Sequence, residues 1–448
     1  MFKIYPPTNV GGQPVECKMC IPEIRYYENI LENAITMSAV VVDTGALSAG
    51  NKKPMSGIVE GIPIRGGCKV EVIMKDPYGG TLKFTESEGK QLYINKVIAG
   101  EPGTQTDVFQ LELCGEEYLK NEIVRIRGCY TGKISETIQS ILLGVPEGLE
   151  SKKAFEIDET LRPYRFIGNT WKPFKVCTWL AAKSNPPKGI GHQAGYLFYE
   201  NHDGFKFKSI DKLLSEKPTK KFIYSNTHLT KAGYKKIQNF SVDKNIDIEN
   251  NLRMGIYDNR TFYFDLISLK WKAKGYDVVT QEPELDLAME DPRGMIDYQW
   301  TGKNTRYFYQ TLDTGFQKQG ITPKQQVGNL KADPRTPEFD AENILVQSSM
   351  RYGELFSVKT HITISGDFDL RVGETIICEF PDLQEQKSRS PNAQSSGTYM
   401  IASLCHRLTV SDCHSSITIV RDSLPEQSHV PPDNPTPGGS GPIVGVLN

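Results

Sequence analysis

Long apolar runs are missing from this chain of 448 residues. They are no larger than stretches such as Ala39-Val-Val-Val42, far short of the ~20 residues that a membrane-spanning helix needs, so no such segment is expected. The opening Met1-Phe-Lys-Ile-Tyr-Pro-Pro7 lacks the charged-then-apolar layout of a signal peptide. Cysteine is sparse and odd in number, nine in all, which argues against a disulfide framework and for assembly in a reducing cytoplasm. Net charge is only −2, so nothing global draws the chain to nucleic acid or to an anionic membrane. With 38% apolar residues, the composition is that of a globular protein long enough for two to four domains.

What is present is organised around Val358 to Arg421. In Val358-Lys-Thr-His-Ile-Thr-Ile-Ser365, Val358, Ile362 and Ile364 fall on one face and Lys359, His361 and Thr363 on the other, the period of a half-buried strand. Gly366-Asp367 supplies a turn, and Phe368, Leu370 and Val372 alternate up to Gly373. Thr375–Phe380 reads as another strand, Gln384 to Gly397 as a polar loop, and Thr398–Thr409 and Ser415–Arg421 as a hairpin turning at Val410-Ser-Asp412. No catalytic elbow, phosphate loop or strong metal motif interrupts this antiparallel barrel.

Upstream, residues 1–130 read as all-β. Strand-like runs occur at Ile24–Leu31 and Ile35–Val42, around Val70, Val72 and Met74, at Leu92 and Ile94, and at Phe109, Leu111 and Leu113. Their spacing suggests a barrel or sandwich. From Ile134 the period becomes helical, with Ser135 as N-cap and Ile134, Ile138, Ile141 and Leu142 on one face. Phe174, Cys177, Leu180 and Ala181 form a second helical face, Ile210–Leu214 a short helix, and Ala194–Tyr199 a strand, so 131–230 reads as mixed α+β. Asn251–Tyr257 and Thr261–Ile267, joined by an Asp258-Asn-Arg turn, read as the opening of a second barrel over 231–279 and 341–424. A polar insertion, 280–340, interrupts it. A helix is expected at Ala341–Phe356, capped by Asp340, with Ile344, Leu345 and Phe356 on one side. Residues 425–448, with six prolines, read as a flexible tail.

The order Gly366-Asp-Phe-Asp-Leu-Arg-Val-Gly-Glu374, strand, polar loop, Ser396-Gly-Thr-Tyr-Met-Ile401, then a Cys-His-bearing hairpin ending Ile417-Thr-Ile-Val-Arg421, resembles the second tube-like domain of the central baseplate hub of contractile-tailed phages. Secretion-system spike proteins share that pattern. Glu117-Tyr-Leu-Lys-Asn-Glu-Ile-Val-Arg125 and Tyr130–Leu142 resemble the exit from the first barrel of such hubs, especially those of myophages infecting cyanobacteria. Tyr164–Phe174 and Gly204–Leu213 resemble the domain that follows. The resemblance implies an α+β, mainly β fold with two tube-like antiparallel barrels, a mixed domain and a disordered tail. It also implies a homotrimer of pseudo-sixfold symmetry, without enzymatic activity or cofactors, in the virion tail. Its partners would be the tail tube or tube initiator on one face, the central spike on the other, and neighbouring baseplate proteins, with phage DNA passing through. A tail-associated peptidoglycan hydrolase and a receptor- or glycan-binding tail protein are the alternatives.

Candidate sites are few. Cys17-Lys-Met-Cys20 has half a zinc knuckle's spacing but no second pair. Cys405-His406 and Cys413-His414 come close across a hairpin, yet neighbours on a strand face opposite ways, so the four cannot converge on one metal. The acidic run Glu282, Glu284, Asp286, Glu290 and Asp291 is polar throughout, unlike a glycosidase pair. Nine lysines against two acids between Lys206 and Lys236 read as a solvated face, or next as a docking patch with Lys220 and Lys221 on the outside of the assembly. The apolar Ile443, Val444, Val446 and Leu447 read as a tether for a neighbouring tail protein. No catalytic, cofactor or metal residue is assigned.

Overall fold

The computed structural model describes residues 1–7, 14–44, 64–102, 106–187, 194–225, 231–244, 247–265, 269–277, 298–300, 302–311, 341–381, 392 and 395–424. Alternating apolar residues dominate, and the fold is accordingly mainly β. The N-terminal strands are β1 (Phe2–Ile4), β2 (Val15–Glu16), β3 (Glu23–Asn29), β4 (Thr36–Asp43), β5 (Lys69–Lys75), β6 (Thr81–Phe84), β7 (Leu92–Pro102) and β8 (Asp107–Gly115). They pair in the order β2-β1-β5-β7-β8-β4-β3, with β6 against β5. Every second residue, including Tyr26, Met37, Ala39, Val41, Val72, Ile94 and Leu111, enters one shared core.

The mixed region follows as α1 (Glu116–Ile123), β9 (Cys129–Tyr130), α2 (Ile134–Leu143), β10 (Phe155–Ile157), β11 (Phe166–Ile167), α3 (Pro173–Ala181), β12 (Tyr196–Asn201), β13 (Gly204–Ser209) and α4 (Ile210–Ser215). Ile134, Ile138, Ile141 and Leu142 are buried as their spacing requires. Ser135 is not the cap, because the helix already starts at Ile134; its hydroxyl instead accepts from the Thr160 hydroxyl at 3.3 Å. Pro173 opens α3, where a missing N–H costs nothing.

Next come β14 (Lys220–Tyr224), β15 (Lys235–Lys244), α5 (Ile248–Met254), β16 (Asp258–Asp265), β17 (Lys270–Asp277), β18 (Arg306–Thr311), α6 (Ala341–Leu355), β19 (Val358–Ser365), β20 (Thr375–Glu379), β21 (Gly397–Thr409) and β22 (Cys413–Arg421). Six of these close on themselves in the order β21-β20-β14-β15-β19-β22 and back to β21. The barrel is not wholly antiparallel, since β14 runs parallel to both β15 and β20. Phe222, Ile237, Ile362, Ile376, Ile401 and Ile417 pack into its core, as expected of so narrow a barrel.

Three readings are corrected. Asn251–Met254 is helical, because Asp247 accepts from the Asn250 N–H at the start and Gly255 (φ +71°) ends the turn, and these caps outweigh strand-like side chains. Asp258-Asn-Arg260 is strand rather than turn, and β16 belongs to a separate sheet of order β17-β16-β18. The barrel opens instead with β14 and β15, whose core residues Phe222 and Ile237 are hidden among lysines. Phe368–Gly373 is a buried, turning connection rather than a strand. The helix expected at 341–356 is α6, with Leu355 buried; Asp340 and the side chains of Ile344 and Leu345 lie outside the described residues. Most of the 384–397 loop, the 280–297 stretch and the tail also lie outside them.

The barrel and the N-terminal strands are one hydrogen-bonded wall. β21 pairs with β20 through Gly397–Met400, then with β3 from Ser403↔Asn29 to Thr409↔Glu23, while β22 follows its other edge. A register irregularity between Ile401 and Ser403 marks the change of partner, the bend that a bulge supplies. The Ala402 carbonyl there accepts from the Ile30 N–H at 3.0 Å.

Candidate functional site

The connection Gly366–Glu374 between β19 and β20 lies where the bodies meet. Phe368 enters the N-terminal core, while Leu370 and Val372 enter the barrel core. The Phe368 N–H donates to Asp76 Oδ2 at 2.7 Å, the Val372 N–H to Glu28 Oε2 at 3.0 Å, and Arg371 Nε to Asp203 Oδ1 at 3.2 Å. Glu28 accepts in addition from the Tyr26 hydroxyl and the His202 N–H, both at 2.7 Å. Burial lifts its carboxyl to about 6, against the pull of Arg371. Gly373 needs its absent side chain, because a Cβ would sit 2.1 Å from the Tyr199 hydroxyl and φ is +85°.

Two more buried charge clusters lock the bodies together. Lys153 Nζ lies 2.7 Å from Glu117 and 2.6 Å from Glu200, and the Ile35 N–H donates to Glu200 at 3.1 Å. On α6, Arg351 donates to Asp211 at 2.9 Å and to Asp422 at 2.7 Å, with Glu354 at 3.6 Å. Burial raises Glu354 to about 7, Arg351 opposing and Asp422 and Asp211 reinforcing. Such clusters fix geometry more than they add stability.

The outer face of the wall is where a ligand or neighbour would meet it. Alternation from the core places Gln110 and Glu112 of β8, Thr36 and Ser38 of β4, Tyr27 and Asn29 of β3, Ser403 and Cys405 of β21, Ser416 and Thr418 of β22, and His361 and Thr363 of β19 on this side. At the seam it sinks into a hollow of about 610 Å³ floored by hydroxyls and by Tyr27, Glu32 and His361. Four cations meet four carboxylates on it: Arg407 bonds Glu23 at 2.8 Å and Arg25 shares that carboxylate, Lys96 lies 3.1 Å from Glu112, Lys359 lies 2.8 Å from Asp243, and Glu32 lines the hollow.

The lysine run is not a free basic face. Lys206 and Lys208 both hold Glu156 at 2.8 Å, and this lowers the Glu156 carboxyl to about 2. Lys212 holds Asp158 at 2.6 Å, Lys220 and Lys235 hold Asp367 at 2.7 and 2.5 Å, and Lys231 holds Glu379 at 3.0 Å. The acids that answer these lysines stand outside the run, so local counting could not find them. Lys220 and Lys221 part company on β14: Lys220 shares the face of core residue Phe222, whereas Lys221 is exposed, 5.8 Å over the Tyr234 ring. In the closed ring of strands, β14 stands opposite β22, away from the polar wall.

The Cys-His pairs divide as alternation predicts. His406 is buried with Cys413 on the core side, Nδ1 lying 2.7 Å from Ser415 Oγ, and burial lowers its imidazole to about 3. Cys405 and His414 face the wall side, His414 within 2.5 Å of Asp412. Cys17 precedes and Cys20 ends a short 3₁₀ turn, and burial pushes the Cys17 thiol up to about 12, the reverse of what a reactive thiolate needs. Among the described residues no group of three metal-ligating side chains gathers, and no helix is long and apolar enough to cross a membrane. The acidic run from Glu282 to Asp291 and Ile443, Val444, Val446 and Leu447 lie outside the described residues.

No family model and no curated protein matches the chain. Solved structures do. The chain is similar to the tail protein from Neisseria meningitidis MC58 at 10% identity and a TM-score of 0.51, over 94% of this chain and 96% of that one. It is also similar to the 43 kDa tail protein of prophage MuSo2 from Shewanella oneidensis at 9% identity and a TM-score of 0.52, over 94% and 98%. The fold is therefore that of phage tail proteins across nearly the whole chain, with one closed barrel and further strands among the described residues where the hub resemblance implied two barrels.

Proposed function

We propose that the protein is a structural hub of a contractile tail baseplate. Three copies form a ring that joins a sixfold tail tube to a threefold central spike and lines part of the path for DNA. One observation carries this reading. The barrel is packed solid with side chains, yet the chain builds a broad, polar, charge-balanced wall outside it. A conduit cannot run through such a barrel, so it has to lie between copies, walled by that face. In each copy the wall has an N-terminal half and a barrel half, so three copies present six halves. A lining whose cations are answered in place would let duplex DNA slide without the tight, salt-dependent grip of an unpaired basic surface. Lys221, on the strand opposite β22, then faces away from the bore toward neighbouring baseplate proteins. The place of action is the virion tail, and the role is mechanical rather than catalytic.

Imaging the purified protein together with its spike tests this. Three chains around a central opening lined by β3, β21 and β22 are expected. A particle with one chain, or a closed centre, or the Lys221 side turned inward, would end the proposal.

A further inference from the structure

The sheet β17-β16-β18 carries a face that the described residues leave uncovered. Pairing of Phe262 with Tyr309 and of Phe264 with Trp271 puts Phe262, Phe264, Trp271, Tyr307 and Tyr309 on one side. Phe262 stacks on Tyr309 at 5.4 Å between centroids and 12° between planes, and Phe264 on the same ring at 6.3 Å. The opposite side, through Tyr263, is buried in the core that also holds Met350 of α6. Trp271 remains 64% and Tyr309 71% exposed. Aromatic patches of this kind on one sheet face mark contact surfaces.

We infer that this face is the seat of the chain's own segment Pro442-Ile-Val-Gly-Val-Leu447. The segment is apolar and rich in β-branched residues, as an aromatic sheet face or its unpaired strand edges would select. The last described residues place its root nearby. Asp422 is held by Arg351 on α6, and α6 packs against β16, β17 and β22 alike. The helix has 15 residues, so roughly 22 Å separates its two ends. Pro425 to Gly441 makes a spacer of 17 residues that spans roughly 20 Å as a coil and roughly 50 Å if extended as polyproline. The face is thus within reach, and tethering holds the segment at an effective concentration on the order of millimolar. Of the stretches flanking β18, 278–297 intersperses its apolar residues with acids such as Glu282, Glu284 and Asp286, and 312–340 is mostly polar, so both make a poorer cover for aromatic rings.

The test uses the full chain. Acrylamide quenching of Trp271, isolated by subtracting the signal of a Trp271→Phe variant, is compared between the native sequence and Val444→Asp/Val446→Asp. Several-fold stronger quenching in the double variant is expected, together with faster hydrogen exchange in β16–β18. Equal quenching in both proteins would overturn the inference, whether the rings are open in both or covered by another segment in both. Shielding that disappears on dilution of the native protein would also overturn it, by assigning the face to the tail of a second copy.

Discussion

Glu354 carries a charge that the fold disfavours. Its carboxyl titrates near 7 when folded against an ordinary 4.5, so the folded state takes up a proton between those values. Stability therefore falls as pH rises from about 4.5 to about 7. The loss is on the order of 3 kcal/mol at ~1.4 kcal/mol per unit, with Arg351 charged throughout. Glu28, lifted to about 6, adds to the same trend over a narrower window. Glu354→Gln should raise the melting temperature at pH 8 and change it little at pH 5, which calorimetry at the two values checks. Lys153 behaves oppositely. Lys153→Met would strand Glu117 and Glu200 without their cation and should cost ~3–5 kcal/mol in denaturant titration. Adding Glu117→Gln and Glu200→Gln should recover much of that.

Among the elements, the β19–β20 connection tolerates the least change. A Cβ on Gly366 would lie 2.1 Å from Cys413 Sγ, so Gly366→Ala should destabilise by ~1–3 kcal/mol, and Cys413→Ala in the same chain should relieve it. Denaturant midpoints of the single and double variants provide the measurement. This connection also shows how far the sequence could be read. Phe368, Leu370 and Val372 alternate like a strand and are indeed buried, but Phe368 enters one core while Leu370 and Val372 enter another, so the period reports burial without pairing. Strands with a single polar face, such as Val358–Ser365, were legible to the residue. β14 was not, because Phe222 sits among lysines whose partners are remote in sequence. The same remoteness hid the charge balance of the wall, which depends on pairs such as Arg407 with Glu23.

For the whole molecule, neutrality of the wall is the property on which DNA passage through the proposed hub would depend. The native protein should retain no duplex DNA on a filter at low salt. Glu112→Lys with Asp243→Lys, which unbalances Lys96 and Lys359, should produce retention that falls steeply as salt is raised. Equal retention by the two proteins would remove this face from the DNA path.

Because β21 is simultaneously a stave of the barrel and the neighbour of β3, neither half has an independent boundary at which to come apart. Heat should melt both in a single cooperative transition, and a chain cut between them would be left with a sticky, unsatisfied strand edge. A ring built from such subunits would transmit a push on one half directly into the other, with no hinge to absorb it.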